Sequence, residues 1–162
     1  MPEHLKPLQA SLALAVAARI VDAALAIGRK EGLLPLAVAV LDAGGGLIAF
    51  QREDGAGVMR FEIARGKAYA ALGMGMSTRL IRDRLANRPA FQSALAAASD
   101  GRFVPTPGGV LILDPAGRAI GAVGISGDAS DKDEYCAIEA VKAAGFASEP
   151  AAPAANWREA GL

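Results

Sequence analysis

Two cations stand on one side of a segment that is otherwise mostly small or apolar. On a helical wheel Arg60 and Lys67 share a face with Ile63 and Met74, roughly opposite a stripe of Phe61, Ala64 and Ala68. A guanidinium grips a carboxylate through two parallel hydrogen bonds and an ammonium adds a point charge, so this face suits a carboxylate-bearing organic molecule. The plain alternative is a solvated outer face. A desolvated lysine can also act as a base or form a Schiff base, which makes Lys67 the catalytic candidate of an isomerase or lyase acting on a small oxo-acid.

Bare backbone at Gly109 and Gly124, with the Ser126 hydroxyl, would complete the lining of a ligand pocket; tight strand packing is the competing reading of the glycines. Asp128, Asp131, Asp133 and Glu134 gather where a helix should start, and capping explains them without a metal ion. Arg79, Arg82, Arg84 and Arg88 form a basic strip, but no aromatic residue interleaves with them, so nucleic acid is not an expected partner. His4 and Cys136 are the only residues of their kinds. That excludes an intrachain disulfide, a His–carboxylate relay within one subunit and any cysteine-based zinc cluster.

A chain of 162 residues with 17 basic and 17 acidic side chains is sized for one domain and has no global field toward polyanions. Residues 1–147 form the expected domain, followed by an Ala/Pro-rich tail over 148–162, draped or disordered. The apolar stretch Leu8–Ala18 follows Lys6, but Glu3 precedes it and the pattern continues past Arg19 and Asp22 to Ile27. That describes a core helix rather than a membrane span, with an export signal as the lesser reading, and the expected location is the cytoplasm. The helix is apolar nearly all round and calls for cover from a second subunit.

These elements must position the candidate residues. Helical spacing predicts helices over Leu8–Lys30 and Val58–Leu72, then short ones from Ser77 to Ala86 and from Pro89 to Ala98. Leu36–Leu41 and Leu47–Gln51, joined by Asp42-Ala-Gly-Gly-Gly46, predict a hairpin. Arg102–Val104, Gly109–Asp114 and Ala119–Ser126 predict three more strands, and Ser130 predicts the cap of a last helix running to about Ala144. The result is an α/β (α+β) fold with an antiparallel sheet of about five strands and helices on its faces.

Several stretches in order, Val38-Ala-Val-Leu-Asp-Ala-Gly-Gly45, Arg52-Glu-Asp-Gly55, Ile63-Ala-Arg-Gly-Lys-Ala68, Pro107-Gly-Gly-Val110 and Ile120-Gly-Ala-Val-Gly-Ile-Ser-Gly127 followed by Asp131 to Cys136, resemble the GlcG/HbpS-like haem-binding family. The resemblance implies a profilin-like sandwich, a homo-oligomer, and haem or a corrinoid as cofactor. It also leaves open a structural oligomer without ligand. HbpS-type proteins carry a Glu-x-x-Glu iron motif where this chain has Glu62 followed by Arg65, so iron sensing does not transfer. Histidine ligation of haem could come only from His4; Met59, Met74, Met76, Tyr69 and Tyr135 are the other side chains able to reach iron.

Overall fold

The structure, a computed structural model, describes residues 2–162. In chain order its elements are α1 (Leu14–Lys30), β1 (Ala37–Asp42), β2 (Leu47–Arg52), α2 (Arg60–Met74), α3 (Thr78–Leu85), α4 (Pro89–Ala98), β3 (Gly109–Leu113), β4 (Ala119–Ser126), α5 (Ser130–Ala143) and β5 (Ala147–Glu149), with a short 3-10 turn at Trp157–Glu159. The strands form one sheet in the order β2-β1-β4-β3-β5, and every pair is antiparallel.

Alternation along the central strands explains why they read as continuous apolar runs. Val38, Val40, Val110, Ile112, Val123 and Ile125 point to one face and pack with Ile20, Val21 and Ala24 of α1 and Ile138 and Val141 of α5. Ala37, Ala39, Leu41, Leu111 and Ala122 point to the other, against Ala64, Ala68 and Ala71 of α2. A sheet covered on both faces has no polar side to alternate with.

The second face is made of small residues, and this lets α2 lie close on the sheet. A Cβ at Gly124 would stand 1.9 Å from the Ala64 carbonyl oxygen, and one at Gly109 would stand 2.3 Å from the Lys67 carbonyl oxygen. Both glycines are therefore packing positions beneath α2.

Four expectations need correction. Residues 8–13 are not helical: Leu12 is buried against Gly121 and the Ser11 hydroxyl accepts from the Ala43 amide, which draws the segment out along the hairpin turn. Arg102–Val104 joins no strand; it lies on α2, where Gly66 leaves room for Val104. The missing strand is instead β5, which pairs with β3 and crosses the boundary expected at 147, while Trp157 stacks on Tyr135 with 3.6 Å between ring centroids. Finally, Ala129 rather than Ser130 occupies the N-cap of α5, without a side-chain cap.

Candidate functional site

The carboxyl end of β4 brings Arg60, Lys67 and Ser126 together. Arg60 Nη1 donates to Ser126 Oγ at 3.2 Å. Lys67 Nζ donates to the Ile125 carbonyl and to Asp133 Oδ2, each at 2.9 Å, and the second Asp133 oxygen accepts from the Asp128 amide at 3.0 Å. Burial pushes the Asp133 carboxyl up, while the Lys67 ammonium beside it and the Asp128 and Gly127 amides act in the opposite direction.

Lys67 is 2% exposed and does not lie on a free face of α2. It points between the helix, β4 and the start of α5 and joins all three. This corrects the expectation that Lys67, Gly109 and Gly124 line a pocket: the ammonium is occupied by two acceptors, and α2 backbone covers both glycines. Only Arg60, half-buried at the start of α2, retains access to solvent. The expected capping of α5 by the acidic cluster is corrected: its N-cap has no side-chain cap, and Asp128 instead accepts from the Leu34 and Ala129 amides at 2.9 and 2.7 Å while Asp131 faces Arg82. Among the described residues no group of His, Cys, Asp and Glu side chains is placed to hold a metal ion.

Glu134 stands apart from these capped carboxylates. It is 0% exposed, neither oxygen has a hydrogen-bond partner among the described residues, and the nearest cation is Arg79 Nη1 at 3.3 Å. Burial pushes its carboxyl up to about 7, with Arg79 and Arg82 pulling down and Asp131 and Glu149 pushing up.

An open cleft forms where α2 ends. Met74, Met76, Ile81, Leu85 and Phe91 line about 230 Å³, rimmed by Arg84 and Arg88. A second hollow of about 160 Å³ shares Met74 and continues past Tyr69, Leu95 and Phe103. Within the basic strip, Arg79 is neutralised by Glu134 and Arg82 by Asp83 and Asp131. Among the described residues Arg84 and Arg88 have no carboxylate partner, and the Arg88 guanidinium lies 4.5 Å over the Phe91 ring. Sequence reading named the methionines and the arginines separately. Phe91 was missed, although Arg84 and Arg88 at (i, i+4) followed by an aromatic residue was the available signal.

A larger hollow of about 500 Å³ lies between α1 and the end of β2. Its lining sets the carboxylates of Glu53 and Asp54 beside Arg52, and its Arg29 is bound to Glu53 and the Leu34 carbonyl. It therefore offers less than the smaller cleft to an organic anion.

The sequence matches the family described as "Haem degrading protein HbpS-like" over residues 12–142. The chain belongs to the HbpS-like family. This HbpS-like chain is 34% identical over 109 residues to the "Uncharacterized 15.0 kDa protein in dhaT-dhaS intergenic region" of Citrobacter freundii, covering 67% of this chain and 75% of that one. Its fold superposes on a PduOC:heme complex with a TM-score of 0.76 at 25% identity, covering 85% of this chain and 98% of the other. Klebsiella pneumoniae protein ORFY gives 0.73 at 25% identity over 89% and 97%. A double mutant of Streptomyces reticuli HbpS gives 0.67 at 26% identity over 89% and 90%.

Proposed function

We propose that this HbpS-like chain binds a haem-type tetrapyrrole or a related carboxylate-bearing organic molecule in the cleft at the end of α2. The carrying observation is the pairing of Met74, Met76 and Phe91 with two guanidiniums that have no carboxylate partner among the described residues. Apolar walls favour a flat macrocycle, and the two arginines complement its carboxylates. The cleft alone is small for a macrocycle, and with the adjoining hollow past Tyr69 it takes one edge of such a ligand.

Exposed apolar side chains support the homo-oligomer. Leu14 is 65% exposed on α1, and Val58 and Met59, before α2, are 76% and 63% exposed. Among the described residues no helix is long and apolar enough to cross a membrane. A lyase or isomerase reading would need a free amine at Lys67, and the Asp133 pair leaves none.

Haemin titration followed in the Soret band tests the proposal. Saturable binding with a shifted band is expected, and Arg84→Ala and Arg88→Ala should each weaken it about tenfold, the scale of one charge-assisted contact. Absence of saturable binding, or arginine variants that bind as tightly as the parent, would overturn it.

A further inference from the structure

The geometry points to a small aromatic monocarboxylic acid as the ligand that fills the cleft at the end of α2; this rests on the reading that the cleft receives carboxylates, and it names the class of molecule.

The cleft encloses about 230 Å³. That lies below the roughly 300–1,000 Å³ of sites that take drug-sized ligands. A single ring with a short acidic arm fits inside such a space, whereas a macrocycle would leave most of its surface outside.

Charge around the cleft is one-sided. Arg84, in the last turn of α3, and Arg88, at the N-cap of α4, are exposed and stand on the rim. The adjoining hollow of about 160 Å³ shares only Met74 with the cleft and has no charged residue in its lining. Arg102 lies over the Tyr69 ring of that hollow, but the Ser99 carbonyl and Asp100 already hold it. A ligand lying across the cleft therefore meets cations at one end and apolar surface at the other. This selects a molecule with one carboxylate, since a second at the far end would be desolvated without a partner.

The walls favour an aromatic body. The Phe91 ring, 37% exposed, carries the Arg88 guanidinium 4.5 Å from its centre, so cation and aromatic surface adjoin on one wall. Gly75, at φ +64°, turns the chain at the end of α2 so that Met74 and Met76 on either side of it both line the cleft. Those two side chains are half-buried against Ile81 and Leu85, which holds the apolar surface in place. An aryl ring gains from packing beside Phe91 and from contact with polarizable methionine side chains.

The test uses the full chain, benzoate as probe and isotope-labelled methionine methyl groups read by NMR. Met59, 63% exposed and lining neither hollow, is the internal control. Benzoate should shift the Met74 and Met76 signals saturably and leave Met59 in place. Arg84→Gln and Arg88→Gln should each weaken binding about tenfold, the scale of one charge-assisted contact. Benzamide, the neutral isostere, and terephthalate, charged at both ends, should each bind at least about tenfold more weakly than benzoate. Benzamide or terephthalate binding as tightly as benzoate, or arginine variants that bind like the parent, would overturn the inference. Haemin binding that depends on the two arginines, alongside no response to benzoate, would overturn it alone. Failure of both haemin and benzoate to bind would overturn the cleft reading as well.

Discussion

Lys67→Met is expected to cost about 3–5 kcal/mol of folding stability, because it removes one partner of a buried ion pair and strands the other. The Asp133 carboxylate is almost fully enclosed, and without the ammonium 2.9 Å away only the Asp128 and Gly127 amides would support its charge. Adding Asp133→Asn should recover most of the loss, since asparagine keeps an acceptor for those amides and carries no charge. Urea unfolding of the parent, the single variant and the double variant measures this. A single variant within about 1 kcal/mol of the parent would show that the pair is not buried in solution. The double variant also separates structure from chemistry. Lys67 lies about two helical turns from the Met74 cleft, so once folding is restored haemin affinity should match the parent's. A loss of affinity specific to the double variant would put Lys67 back among the ligand contacts.

The burial of Lys67 marks where sequence reading stopped. Helix α2 is covered on two sides: Ala64, Ala68 and Ala71 meet the sheet, while Gly66 and Ala70 meet Val104, Ile81 and Phe103. A helix made of alanine and glycine on both buried faces has almost no amphipathic signal, so the wheel placed Lys67 with Arg60 on an outer face. The ion pair that neutralises it comes from α5, 66 residues away, and only tertiary structure could disclose it. The central strands were legible because branched residues alternate with small ones between glycine-rich turns. β5 was not: three residues, Ala147-Ser-Glu149, carry no period, and their partner β3 lies more than 30 residues upstream. Gly124 was legible as a glycine that mattered, but whether it admits a ligand or a helix depends on what the chain folds over it. The same limit applies to the cleft, whose methionines, arginines and Phe91 lie on three consecutive short segments and converge only when α3 and α4 turn back beneath α2.

Glu134→Gln should make the protein more stable at about pH 8 and leave it nearly unchanged at about pH 4. A buried carboxyl raised from 4.5 to about 7 binds its proton more tightly in the folded chain than in the unfolded one. The stability that proton brings is fully present below 4.5 and is lost as pH rises through 7. The parent should therefore lose on the order of 3 kcal/mol across that window from this group. Glutamine fills the same volume without ionising, so the variant should escape that loss, and the gap between the two proteins should open with a midpoint between those values. Arg79 is the opposing influence. Its guanidinium approaches Glu134 at 3.3 Å, but it also donates to the Ala152 carbonyl and remains partly solvated, so it keeps a partner when the carboxylate is removed. If the ion pair outweighed desolvation, the sign would reverse and the variant would be less stable at about pH 8. Urea midpoints of both proteins at several pH values distinguish these cases, and the reversed sign would show that Arg79, rather than burial, governs the charge state of Glu134.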